Sequence, residues 1–174
     1  MNLDERVEVV AYDPAWPVLF ARERHRVCSA LGLPEADLEH IGSTAVPGLA
    51  AKPIVDLMLG VATYPPAQEV LLGLAELGYE CLGEAGVTER LYCGLRGPDS
   101  FNLHVVRRNG EHWRRNLALR DYLRAHPSER ERYAGEKRRA VASGASTLLA
   151  YSEAKSALVG ELVTKALAWR QSGL

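Results

Sequence analysis

From Glu111 onward no segment has the two-residue alternation of a strand, whereas the chain up to Arg107 breaks into short apolar runs. Those runs are 7–11, 38–41, 53–61, 79–82, 90–95 and 101–107, with glycine and proline turns dividing the last three. Helical spacing of Trp16, Leu19, Phe20, Val27 and Leu31 predicts a helix running to about Gly32, with Asp13 as N-cap and Pro14 at the first helical position. Residues 43–50 read as one or two helical turns interrupted at Pro47-Gly48, and 66–77 as a helix closed by Gly78. Three further helices are expected at 111–125, 128–143 and 148–170, broken by Pro127 and by 143–146. Strands and helices alternate first and helices follow alone. The expected fold class is therefore α/β (α+β), with a mixed-sheet core over 1–108 and a helical region over 109–174 packed on it.

With 174 residues, 47% hydrophobic and 25% charged, the chain has the make-up of one globular unit, or a core with an appended helical half. No run approaches the roughly 18 consecutive apolar residues of a membrane span. The first 14 residues carry Asp4, Glu5, Glu8 and Asp13 and no basic-then-apolar leader, so no secretory signal is expected and a cytoplasmic location is. Cys28, Cys81 and Cys93 are odd in number and form no CxxC, which argues for buried hydrophobes in a reducing compartment rather than for a disulfide framework or a thiolate zinc site. The net charge of −1 hides a division: residues 1–105 hold 7 Lys/Arg against 15 Asp/Glu, and residues 106–174 hold 14 against 7. An extended nucleic-acid surface is not expected. The basic C-terminal third either holds an anion locally or is drawn to the acidic half across their interface.

Chemistry concentrates between His40 and Asp56. A strand there runs into Gly42-Ser43, where a turn of helix starts, an arrangement that turns backbone N–H groups and a hydroxyl toward one place. Most such turns only connect elements. Asp56 is more telling, because it sits in an otherwise apolar strand where an unpaired carboxylate is costly to bury. It either serves a site or forms a buried ion pair with nearby Lys52.

The run from His40 to Asp56 resembles the GrpB family, whose members look like divergent relatives of the nucleotidyltransferase superfamily. The resemblance continues through Tyr12-Asp13-Pro14, Trp16-Pro17, Gly78-Tyr79, Gly83-Glu84, Arg90 and Asn102-Leu103-His104-Val105. It resumes at Arg120-Asp121-Tyr122-Leu123-Arg124, then at Tyr133 with Lys137 and Tyr151 with Lys155. It implies a nucleotidyltransferase-like mixed-sheet core in which Gly42, Ser43 and Thr44 meet phosphate and Asp56 holds magnesium. In the wider superfamily a second carboxylate stands two residues along the strand, so that both reach the metal; here that position is Met58, a poor magnesium ligand. A third would come from a neighbouring strand, where this chain offers Asn102 and His104, with Glu84 as the nearby acid in line to substitute. His104 is a candidate base or ligand, or a satisfied core histidine. Magnesium is accordingly expected to bind weakly, and with the ligand.

The Tyr133–Lys137 and Tyr151–Lys155 pairs each put a ring and an ammonium on one helix face, suited to a nucleobase and a phosphate or equally to a half-buried Tyr beside a snorkelling Lys. Arg90, Arg120, Lys52, Lys137, Tyr151 and Lys155 complete the expected nucleotide-binding set. Two function classes follow. One is a magnesium-dependent nucleotidyltransferase with Asp56, His104 and Glu84 as its catalytic residues. The other is a non-catalytic module that senses a nucleotide or other phosphorylated small molecule and reports it to a protein partner.

Overall fold

The structure is a computed structural model and describes residues 6, 8–145 and 147–173. Among the described residues five strands form one mixed sheet: β1 (Leu38–Ile41), β2 (Val55–Val61), β3 (Glu80–Cys81), β4 (Arg90–Leu95) and β5 (Phe101–Arg107), in the order β1-β2-β5-β4-β3. Only β2 and β5 run parallel; the other neighbours are antiparallel. Six helices accompany them among the described residues: α1 (Trp16–Leu31), α2 (Gln68–Glu76), α3 (Glu111–Ala125), α4 (Pro127–Ala142), α5 (Leu148–Ala154) and α6 (Ser156–Gln171). The fold is mixed α+β, as the patterning predicts.

Side chains alternate across a strand, so β2 feeds two different environments. Val55, Leu57 and Leu59 join Leu103, Val105, Trp16, Val27 and Leu74 in the larger core, beneath α1 and α2. Met58 faces the other way and is buried with Ile41, Val106, Trp113 and Leu117, so α3 covers that side of the sheet. Gly60 lies so close to α3 that a Cβ there would stand 2.7 Å from the Trp113 ring. Beyond α3, the turn after β1 is clasped by the helical region: Val46 and Leu49 pack with Ala118, Tyr122, Tyr133, Leu158 and Leu162.

Four expectations need correction. The run 7–11 is not a sheet strand: Val10 bridges Ala51 and Arg6 bridges Thr147 in isolation, residue 7 lying outside the described residues. Asp13 does not cap α1 directly; its Oδ1 accepts from Ala15 N at 2.8 Å in a preceding turn, and Pro17 is the proline of the first helical turn. Residues 43–50 contain a single three-residue 3-10 turn, Ser43–Ala45, too short for a helix dipole. The long C-terminal helix is two, divided at Lys155. Of the boundary expected at 143–146, Ser146 lies outside the described residues.

The cysteines also depart from expectation. Cys81 and Cys93 stand opposite each other on antiparallel β3 and β4 and are joined by a disulfide, while Cys28 is free and buried. Sequence separation conceals a pairing that only strand register creates. No helix among the described residues is long and apolar enough to cross a membrane.

Candidate functional site

Asp56 stands near the start of β2, opposite Ile41 on β1 and beside Asn102 on β5. Its Oδ1 accepts from Asn102 Nδ2 at 2.7 Å and lies 3.4 Å from Lys52 Nζ and 4.0 Å from His104 Nε2. Asn102 is itself oriented, because its Oδ1 accepts from Tyr92 Oη at 2.8 Å and Arg96 Nη2 at 2.9 Å and leaves its amide N–H to face Asp56. The other carboxylate oxygen faces the glycine turn: a Cβ on Gly42 would lie 2.6 Å from Asp56 Oδ2, and Gly42 has φ +68°. Glycine is required there on both counts.

Burial would raise the Asp56 carboxyl, but Lys52, His104 and Asn102 outweigh it and hold the group well below the ordinary carboxylate range. Burial lowers the Lys52 ammonium, with Asp56 opposing. Burial likewise lowers His104 against the pull of Asp56. The local state is a carboxylate facing an ammonium and a histidine biased toward neutrality. Both sequence-level alternatives for Asp56 thus coexist: the Lys52 ion pair forms, and it borders a cavity.

That cavity is about 530 Å³ and lies between the sheet, the loop before β4 and the helical region. Gly42, Lys52, Asp56, Arg90, Tyr92, Asn102 and His104 line it from the core, and Arg115, Tyr133, Leu148, Leu149, Lys155 and Val159 from the helices. A smaller chamber of about 70 Å³ adjoins it, bounded by Gly42, Ser43, Lys52, Asp56, Tyr133, Tyr151 and Lys155. Arg90 donates to the Glu84 and Ala85 carbonyls, and its buried Nε has no hydrogen-bond partner. Lys155 lies 4.5 Å over the Tyr151 ring. Neither has a carboxylate partner among the described residues.

Other expected site residues stand elsewhere. Glu84 is exposed and outside the lining; its Oε1 accepts from Glu89 N at 2.7 Å and braces its own loop, so it is no substitute for a third carboxylate. Arg120 is held by Glu39 at 2.7 Å and Asp121 at 2.8 Å, and borders a different cleft. Thr44 is buried against His40, 3.0 Å from Nε2. Lys137 is 0% exposed, with Nζ 2.6 Å from Ser43 Oγ, 2.8 Å from the Ala50 carbonyl and 4.3 Å from the Tyr133 ring centroid. It supports Ser43 from behind rather than lining either space as a surface lysine.

Sequence patterning does not single out Arg96, Arg115 or the apolar wall of Leu148, Leu149 and Val159. Arg96 carried a signal, standing just before the Gly-Pro turn that joins β4 to β5. The others are ordinary members of amphipathic helices and gave none.

Magnesium needs several hard oxygen donors. The cavity offers one carboxylate whose Oδ1 already accepts from Asn102 and Lys52, and no cluster of three His, Cys, Asp or Glu suited to a metal occurs among the described residues. The second-acid position, Met58, is 0% exposed under Trp113. A resident magnesium ion does not fit these residues.

A UPF0157 protein of Halalkalibacterium halodurans is 38% identical over 162 residues, spanning 92% of this chain and 82% of that protein. A UPF0157 protein of Pseudomonas aeruginosa is 36% identical over 171 residues, 95% of this chain and 69% of that protein. The crystal structure of conserved protein GrpB from Enterococcus faecalis is 31% identical and superposes with a TM-score of 0.80, covering 94% of this chain and 99% of that one. The model of the GrpB protein family matches residues 6–165, and on that match and these relatives this chain belongs to the GrpB family.

Proposed function

We propose that the chain binds a phosphorylated small molecule, a nucleoside triphosphate being the form its sequence resemblance implies, in the cavity between sheet and helices. The observation that carries this is electrostatic. Lys52, Arg90, Arg115 and Lys155 line one half-enclosed space with a single carboxylate, Asp56, and Arg90 and Lys155 lack acidic partners among the described residues. Cations focused in a cleft of low dielectric favour a multiply charged anion, and about 530 Å³ is ordinary for a small-molecule site. The apolar wall of Leu148, Leu149 and Val159 suits the uncharged part of the ligand.

On this reading the core is a nucleotidyltransferase-like scaffold that keeps the Gly42-Ser43 turn and Asp56 but has Met58 where two-metal chemistry needs an acid. Binding, not nucleotidyl transfer, is the function the geometry favours. The test is a thermal-shift panel of nucleoside triphosphates with and without magnesium, since a ligand that prefers the folded state raises the melting temperature. The expected result is a concentration-dependent shift that persists without magnesium. Arg90→Ala or Lys155→Ala should weaken binding roughly 10- to 100-fold, the loss of one charge-assisted phosphate contact. Arg170→Ala, outside the lining, should leave it unchanged. No shift with any phosphorylated ligand, or equal behaviour of the three variants, contradicts the proposal.

A further inference from the structure

Lys137 is the charge-bearing side chain whose placement phosphate binding leaves unexplained. It is wholly enclosed and has no carboxylate partner among the described residues. Its Nζ is 2.6 Å from the Ser43 hydroxyl, and Ser43 borders the inner chamber. From these contacts we propose that Ser43 is a nucleophile with Lys137 as its general base, acting on a short acyl group carried by a phosphate. The arrangement has the parts such a pair needs. Ser43 borders a chamber, the amine is in hydrogen-bond reach of its hydroxyl, and the Ala50 carbonyl, 2.8 Å away, orients the amine. Lys52 and Lys155 border the same chamber, placed to neutralise a leaving phosphate.

The amine's surroundings favour a base. Burial drives the Lys137 ammonium well below its ordinary range, the positive charge of Lys155 adds to this, and Asp56 opposes it. The groups acting on it are the Ser43 hydroxyl and Ala50 carbonyl from the turn after β1, Tyr133 on its own helix, Lys155 between α5 and α6, and Asp56 on β2. A neutral amine has one lone pair. With one of its N–H groups donated to Ala50, that lone pair can accept the Ser43 O–H.

The steps balance. Ser43 Oγ bonds to the acyl carbon while its proton passes to Lys137 Nζ. The bond from acyl carbon to phosphate oxygen breaks, the electron pair leaves with the phosphate, and the phosphate takes a proton from the Lys155 ammonium that borders the chamber, while Lys137 keeps the Ser43 proton. Water then attacks the acyl-serine and gives its proton to the Lys155 amine at the chamber wall, while Lys137 returns its own proton to Ser43 Oγ. The sum is acyl phosphate plus water giving carboxylic acid plus phosphate. The chamber, about 70 Å³, admits a group of acetyl size.

This rests on the anion-binding reading for its leaving group only, and its test is separable from it. The probe is acetyl phosphate, with two readouts: acetate release, and acetyl transfer to the Ser43 peptide by mass spectrometry after acid quench. The wild-type protein should form acetate or acetyl-Ser43, with a rate that rises as the amine deprotonates. Ser43→Ala should abolish both, and Lys137→Met, which keeps the buried volume, should slow them roughly 100-fold or more. A melting curve checks that Lys137→Met is folded; if it is not, the wild-type and Ser43→Ala results still decide. Wild-type protein that neither turns over acetyl phosphate nor acetylates Ser43 overturns the dyad, as does a folded Lys137→Met variant of wild-type rate. Triphosphate binding without acyl transfer sinks the dyad alone, and acyl transfer without triphosphate binding sinks the nucleotide reading alone.

Discussion

His40 shows how much one buried ring can report. It is enclosed at the end of β1, shares a hydrogen bond with Thr44 and stacks on Phe20 at 4.7 Å. Burial brings its pKa down to about 4, with Arg124 and Arg120 adding to the shift and Asp56 opposing it. The folded protein therefore keeps the ring neutral where the unfolded chain, near 6.5, accepts a proton. The contribution is complete above about pH 6.5, declines as pH falls to about 4, and amounts to about 3 kcal/mol. Urea unfolding at a series of pH values checks this: His40→Gln should flatten the wild-type decline within that window, and parallel curves would refute the assignment. Gly42 gives a second expectation. An alanine there meets Asp56 Oδ2 and must hold φ +68°, ψ −165°, an essentially glycine-only conformation costing about 1–3 kcal/mol before any clash. Gly42→Ala should lower the melting temperature and displace Asp56, weakening ligand binding more than Ala substitution of any single lining cation.

Strands β4 and β5 and helix α3 fall where the sequence puts them, because each is a run of one periodicity with a turn residue at its end. Asp56 was legible for a related reason: a charge inside an apolar strand contradicts its own pattern, and such contradictions cluster at sites. The division of the last helix at Lys155 was not legible, since neither glycine nor proline marks it. The role of Lys137 was hidden as well. The i, i+4 spacing from Tyr133 places ring and amine together but says nothing about whether that face meets solvent or the β1–β2 turn, and tertiary packing chose the turn. Met58 stands where the family resemblance implies a second acid, but its partner Trp113, fifty-five residues later, shows that the position belongs to the contact between sheet and α3. Gly60 measures that contact. Gly60→Val would drive a side chain into the Trp113 ring and Arg108, an overpacking that costs about 1–3 kcal/mol. The expected readout is a lower denaturant midpoint with quenching or shift of Trp fluorescence; an unchanged midpoint would mean that α3 yields freely.

Few of the ion pairs among the described residues join the two oppositely charged halves of the chain. Arg120–Glu39 and Arg108–Asp37 cross between them, whereas Arg132–Glu161, Lys165–Glu129, Arg139–Glu136 and Arg138–Glu131 stay within the helical region. The pairs within the helical region are mostly exposed and contribute little stability, whereas the two crossing pairs are part-buried. Apolar burial makes the wider contact between the halves: Ile41, Met58 and Val106 under Trp113 and Leu117, and Val46 and Leu49 among the residues of α3, α4 and α6. A fragment of residues 1–108 would expose one face of its sheet and lose the clasp on the turn that carries Gly42 and Ser43. The division into a 1–108 core and a 109–174 helical region is on this account a division of sequence pattern, and neither part should fold alone. Expressed separately, 1–108 should show no cooperative thermal transition and should bind a hydrophobic dye, while an equimolar mixture with 109–174 should recover a transition if the two associate. A cooperative melt of 1–108 on its own would show that the larger core beneath α1 and α2 suffices, and that the helical region is an added wall of the cavity rather than a part of the folding unit.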